Sequence, residues 1–314
     1  MRATPDLSIV VPTYGGERSI VELVQRIHAA LDGEGRPFEV VIVNDDSPDQ
    51  SWPILTQLAS QYPTLRLIRL QRNVGQMAAT VCGLAHARGR ILVTMDDDLQ
   101  HPPEEIPRLV SALEEHPDWD VAMGSWPRDE GWLRNLGSRI FGALQNRALP
   151  EGSHLQHTAF RALRRPVADA IVDHGTRNPV MTSLIIEVAS SVHNVEIAHN
   201  RRLHGSSNFS LGRSVATTLD NFLAASTLPL RWISYFGFLS AAVAAFLGAF
   251  YVIRAAIGVQ TPPGWASSFL STAFFGGSIL GSIGLIGRYL ELILREVRQA
   301  PRWVVKELIP PLDD

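Results

Sequence analysis

Cysteine and lysine are almost missing from this chain. Cys82 is the only cysteine, so no intrachain disulfide can form, and a reducing compartment fits. Lys306 is the only lysine. Nearly all the positive charge is therefore arginine, whose guanidinium suits phosphate recognition. Net charge is small, −3 over 314 residues, which argues against a nucleic-acid coat. No G-x-G-x-x-G and no P-loop occurs, so neither a dinucleotide site nor a Walker-type NTP site is indicated. Met1 to Asp6 are short and polar ahead of the first apolar run, so no signal peptide is expected.

Charge is also absent from two long apolar runs, Ile233 to Ile253 and Ala266 to Gly287. Each is long enough to cross a bilayer as a helix; a buried helix pair in a soluble domain is the alternative. The connection between them, Gly258 to Trp265, is uncharged, whereas the outer flanks carry Arg213, Arg231, Arg288, Arg295, Arg298, Arg302 and Lys306. By the positive-inside rule, both flanks and the large N-terminal part are expected in the cytoplasm. Gly277, Gly281, Gly284 and Gly287 give the second run a small-residue face suited to close helix packing.

The N-terminal part alternates branched apolar runs with helical periodicity. Leu7 to Val11, Phe38 to Val43, Leu65 to Leu70, Ile91 to Met95 and Val121 to Ser125 read as buried strands. Between them, Ile20, Leu23, Val24, Ile27 and Leu31 recur at helical spacing, as do Ile106, Leu109, Val110 and Leu113. The fold class expected is α/β, a mostly parallel sheet with helices on both faces.

The turn after the fourth strand carries three consecutive carboxylates, Asp96, Asp97 and Asp98. In open α/β sheets the carboxyl ends of strands are where ligands bind. Carboxylates this close repel one another unless a cation joins them. Oxygen ligands suit Mg2+ or Mn2+, and residues two apart can face the same way, so Asp96 and Asp98 could share an ion. A solvated acidic turn capping the next helix is the alternative. Two further strand ends gather at the same edge, Pro12 to Glu17 and Asn44 to Asp49.

These residues resemble the inverting family-2 glycosyltransferases of GT-A fold, and among them the polyprenyl-phosphate glycosyltransferases. The resemblance rests on Val11-Pro-Thr-Tyr14, Val43-Asn-Asp-Asp-Ser-Pro-Asp49, Asn73-Val-Gly-Gln76, Met95 to Glu104, Arg202 to Ser207 and Glu296 to Pro301, in order along nearly the whole chain. It implies that Pro12, Tyr14, Val43 and Asp45 hold the nucleotide base and ribose, with Asp97 beside the nucleotide. It places the divalent metal on Asp96, Asp98 and Gln100, and Arg202 on the donor diphosphate. Arg134, Ser138 and Arg139 fall in the acceptor-phosphate region, on an apolar helix suited to the membrane surface. The family's usual glutamate falls at Gly16, with Glu17 one place later as the expected substitute. Gln156 stands where the family has an aspartate before the pair Phe160-Arg161, beside His157.

The expected domains are a cytoplasmic transferase domain at 1–207, an interfacial amphipathic helix at 208–230, two transmembrane helices at 231–290, and a cytoplasmic tail at 291–314. The implied activity is sugar transfer from a UDP- or GDP-sugar to a polyprenyl phosphate at the cytoplasmic face of the inner membrane. The partners expected are donor, lipid acceptor and bilayer. Some relatives are tetramers, so the resemblance allows a homo-oligomer. A processive polysaccharide synthase is a poorer match, because Leu228 stands where a Gln-x-x-Arg-Trp motif needs glutamine. A non-catalytic nucleotide-binding scaffold is the non-enzyme alternative.

Overall fold

The computed structural model describes residues 5–126, 158–176, 180–198, 264–297 and 301–310, with scattered positions between 233 and 257. The elements are β1 (Leu7–Thr13), α1 (Ile20–Leu31), β2 (Phe38–Asn44), α2 (Ser51–Gln61), β3 (Leu65–Leu70), α3 (Gln76–His86), β4 (Ile91–Thr94), α4 (Ile106–Glu115), β5 (Val121–Ser125), β6 (Arg161–Arg164), α5 (Arg165–Asp173), α6 (Met181–Val188), β7 (Val192–Glu196), α7 (Trp265–Val297) and β8 (Val305–Ile309).

Side chains alternate across a strand, and both faces of this sheet are covered. Leu7, Ile9 and Val11 of β1 pack on one side, with Leu23 and Ile27 of α1, Leu55 of α2 and Leu109 of α4. Val10 points to the other side, into a second core with Ala79 and Cys82 of α3, Ile171 of α5 and Ile185 of α6. Gly83 lets α3 lie against β1: a Cβ there would meet the Val10 side chain and come within 3.1 Å of Val43 Cγ2. Proline sets two helix starts. Pro102 and Pro103 lead through a single 3-10 turn into α4, and Pro166 occupies the first turn of α5.

The strands form one sheet in the order β7-β5-β6-β4-β1-β2-β3-β8. β1 pairs in parallel with β2 and β4, and β2 with β3. The chain thus steps outward from β1 to β3 and then returns to place β4 on the other side of β1. The crevice at the carboxyl ends of β1 and β4 is the topological switch point, the usual ligand position in such sheets. β6 runs antiparallel to both β4 and β5, so its first residues reach the same edge.

The chain divides into two compact units, Met1–Ser207 with Ala300–Asp314, and Asn208–Gln299. The segment read as a C-terminal tail contributes β8, which pairs antiparallel with β3. In the second unit, α7 has 33 residues, about 50 Å at the usual helical rise. Among the described residues no helix is long and apolar enough to cross a membrane. The first apolar run is described only at scattered positions. The two spans expected from the sequence are therefore not features of the described fold.

Candidate active site

The turns after β1 and β2 are stitched together by polar groups. Asp45 N–H donates to the Thr13 carbonyl at 3.0 Å. Gly15 N–H donates to Ser47 Oγ at 3.1 Å, and Glu17 N–H to Asp49 Oδ2 at 3.1 Å. Glu17 returns the contact by accepting the Gln50 N–H on Oε2 at 3.2 Å. Asn44 Oδ1 accepts from Ser47 N–H, an Asx-type turn that the sequence Asn-Asp-Asp-Ser favours. Two neighbouring loops are held as one rim of the switch-point crevice.

Asp45 is buried, and each of its carboxylate oxygens accepts a backbone N–H at 2.8 Å, from Val74 and from Gly75. Burial pushes its carboxyl upward, against the pull of those two N–H groups. Its visible task is to clamp the loop before α3. A nucleotide contact would use the remaining lone pairs. Val43 lies wholly in the core under α3, so only its backbone reaches the crevice edge. Pro12 is buried in β1, while Tyr14 is 57% exposed at the rim.

The acidic turn faces this rim. Asp96, Asp97 and Asp98 are all half-buried. Asp97 Oδ2 accepts the Thr13 hydroxyl at 2.5 Å, which joins the ends of β4 and β1. Asp96 Oδ1 accepts the side-chain amide of Gln76 at 2.5 Å, from the first turn of α3. Asp98 Oδ1 accepts the Gln100 backbone N–H at 3.1 Å. Between those two residues Leu99 sits at φ 60°, left-handed and fully in the core. A non-glycine residue in that region is strained and persists only where its surroundings enforce it. Here the buried leucine is the anchor, and it turns the flanking polar side chains away from the core. His101 then packs between Trp126 and Phe160 and braces the following loop.

Electrostatics mark the turn as short of positive charge. Burial, with the charges of Asp98 and Asp97, pushes Asp96 up to about 6, despite the Gln76 hydrogen bond and the Arg161 guanidinium. Burial also pushes Asp97 up to about 6, with Asp98 adding to it and the Thr13 hydroxyl opposing it. A folded value above the ordinary carboxylate range means that the metal-free native state holds these protons more tightly than the unfolded chain. The stabilisation is complete below about pH 4 and lost as pH rises through about 6. Metal-free Asp96→Asn, a neutral mimic of the protonated state, is therefore expected to melt above the wild type at pH 7 and to lose that advantage at pH 5. An equal gap at both pH values would count against a strained, charged turn.

Among the described residues no three His, Cys, Asp or Glu are arranged to enclose a metal. A Mg2+-like ion does not need three. It takes one or two carboxylates and completes its shell with substrate phosphates and water. Asp96, Asp98 and Gln100 offer oxygen only, and the surplus negative charge of the turn fits such an ion.

Thr13, Gln76 and Arg161 bear on the site through the contacts above, yet sequence reasoning gave them no role. All three stand inside quoted motifs, which is the signal the sequence offers for them. Arg134, Ser138, Arg139, Gln156, His157 and Arg202 lie outside the described residues.

The model of glycosyl transferase family 2 matches residues 8–172. Undecaprenyl-phosphate 4-deoxy-4-formamido-L-arabinose transferase of Edwardsiella ictaluri is 33% identical over 311 residues, covering 96% of this chain and 94% of the relative. The enzyme of that name from Pseudomonas paraeruginosa is 34% identical over 312 residues, covering 96% and 90%. Among solved structures, glucosyl-3-phosphoglycerate synthase from Mycobacterium tuberculosis, in complex with Mn2+ and uridine-diphosphate-glucose, matches with a TM-score of 0.49. It is 20% identical and covers 70% of this chain and 78% of that one. The matched segment runs through all three stitched turns to the end of α5, and this chain belongs to glycosyl transferase family 2.

Proposed function

We propose that this glycosyltransferase moves a sugar from a nucleoside-diphosphate donor to an undecaprenyl-type polyprenyl phosphate, with inversion, at the cytoplasmic face of a membrane. The observation that carries the reading is the acidic turn Asp96–Asp98 at the switch point. It lies in a chain whose near-full-length relatives are named undecaprenyl-phosphate sugar transferases.

The division of labour follows from the chemistry. The rim of Pro12, Tyr14, Glu17, Val43 and Asp45 takes the base and ribose, with Asp97 beside them. Asp96, Asp98 and Gln100 hold a Mg2+ or Mn2+ ion, which when bound offsets the charge developing on the leaving nucleoside diphosphate. Arg202 binds the donor diphosphate. Arg134, Ser138 and Arg139 bind the acceptor phosphate by charge-assisted hydrogen bonds. That phosphate carries roughly −1.5 to −2 charge near neutral pH, as other monoesters do. Its oxygen attacks the anomeric carbon directly, the bond from that carbon to the donor phosphate oxygen breaks, and nucleoside diphosphate leaves. No side chain has to remove a proton, so Gln156 in place of the family's aspartate is compatible with turnover.

Membrane attachment through 231–290 supports the meeting of a charged head and a greasy tail in one cleft. Ile279, Leu280, Ile283, Leu290 and Val297 of α7 are each more than half exposed, a surface better suited to lipid than to water. Purified full-length protein with a nucleotide sugar and Mn2+ is expected to release nucleoside diphosphate only when polyprenyl phosphate is added. Equal release without the lipid would point to hydrolysis. Nucleotide binding with no release under any condition would point to a scaffold.

A further inference from the structure

Arg161 is the one charged side chain of β6 that is sealed from solvent at the site's edge. It is 4% exposed, and its NH2 donates to the Thr158 carbonyl. Its Nε and its other terminal nitrogen are buried and make no hydrogen bond among the described residues. A buried guanidinium with idle donors is costly unless a charge of opposite sign lies within reach. The register supplies one. Arg161 pairs with Thr94 across β4 and β6, two residues before Asp96. Thr94 Oγ1 donates to the Ala159 carbonyl at 2.7 Å, which fixes the segment leading into β6. Arg161 and Asp96 line one small cavity, with Gln76, Thr80 and Met181 around them.

We infer that Arg161 is a positioning residue, a built-in counter-charge that balances the acidic turn from behind when no metal is bound and competes with the metal for it. It acts through Asp96 and touches neither substrate nor ion. Burial lowers its own guanidinium to about 10 while the Asp96 charge holds it up, in keeping with that pairing. The sign of the effect on metal is the unusual part. A structural arginine, once removed, would weaken everything built upon it. A competing cation, once removed, leaves the carboxylates freer to take Mn2+ while the metal-free protein loses stability.

The inference rests on the metal reading above, so its test includes arms without metal. Full-length wild type, Arg161→Met and Arg161→Lys are melted across a titration of Mn2+ alone. In Arg161→Met the metal-free melting temperature is expected to fall, and the Mn2+ midpoint to drop about tenfold, the scale of one charge acting through partly screened protein. Arg161→Lys should restore both toward wild type. An unchanged or raised Mn2+ midpoint in Arg161→Met would overturn the inference. Metal-free Asp96→Asn,Arg161→Met should lose much less stability relative to Asp96→Asn than Arg161→Met loses relative to wild type, because the partner charge is already gone. An undiminished loss would overturn it as well. If Arg161→Met does not fold, recovery of a folded double variant supports the pairing, and failure of the double variant to fold contradicts it. A wild type that shows no Mn2+ response removes the metal reading, and the metal-free comparison then decides the role of Arg161 by itself.

Discussion

Asp98→Asn is expected to fold normally and to lose turnover by roughly a thousandfold, about 4 kcal/mol of transition-state stabilisation, as when one electrostatic group is removed from other active sites. The fold should survive because the hydrogen bond that Asp98 accepts from Gln100 does not need its charge. Its Oδ1 accepts the Gln100 N–H, and the amide oxygen of asparagine can do the same. Removing one of three adjacent carboxylates also relieves repulsion, so the metal-free melting temperature should hold or rise slightly. What would be lost, on the proposed reading, is the anionic oxygen that Asp98 would offer to a divalent ion. The measurement pairs steady-state rates at saturating Mn2+ with a metal-free melt. Wild-type turnover in Asp98→Asn would remove Asp98 from the metal site. A collapsed melt would make it a folding residue instead.

Gly16→Ala is expected to cost about a hundredfold in kcat/KM for the nucleotide donor, comparable to a 1 Å misplacement of a positioned group. A Cβ at Gly16 would sit 2.5 Å from Asp97 Oδ2 and directly against Thr13 Oγ1. The backbone has little room to yield, since the Gly16 carbonyl accepts from Ser19 and Ile20 N–H at 3.1 and 3.0 Å to start α1. Asp97 or Thr13 must therefore move, and the 2.5 Å bond that joins the ends of β1 and β4 breaks. Overpacking of this kind also destabilises by about 1–3 kcal/mol. The family resemblance puts a glutamate at this position. In this chain the small residue is what allows Asp97 and Thr13 to meet, and Glu17 is used on the Gln50 N–H. Full donor affinity and rate in Gly16→Ala would show that the Thr13–Asp97 contact is not part of the working arrangement.

The central strands were legible because each is a short branched apolar run bounded by turn residues. β3 and β5 match their expected ranges, and β1, β2 and β4 differ by a residue or two at their ends. Three further strands were not: β6 inside the sheet, and β7 and β8 at its two edges. β6 is Arg-Ala-Leu-Arg, β7 is Val-His-Asn-Val-Glu and β8 is Val-Lys-Glu-Leu-Ile, short runs in which charged or polar residues break the apolar pattern. Their strand character comes from pairing with β4, β5 and β3, a long-range effect that a local pattern does not carry. At the site, the acidic turn and its place at a strand end could be read directly from residue types. The partners of the carboxylates could not. Thr13 lies 84 residues from Asp97, and Gln76 lies 20 from Asp96. Only the order of strands brings them together. Asp45 was expected as a nucleotide ligand, and its grip on Val74 and Gly75 appears only once β2 and α3 are adjacent.

The central claim is that sugar ends on lipid phosphate, and a partition experiment asks this directly. Full-length protein is incubated with Mn2+, polyprenyl phosphate and each of a panel of sugar-labelled UDP- and GDP-donors, and the mixture is extracted with organic solvent. One label is expected in the lipid phase, only with the acceptor phosphate present, not with the corresponding unphosphorylated polyprenol, and not from Asp98→Asn. Label that stays in water for every donor, or that reaches the polyprenol equally well, would contradict transfer to a polyprenyl phosphate.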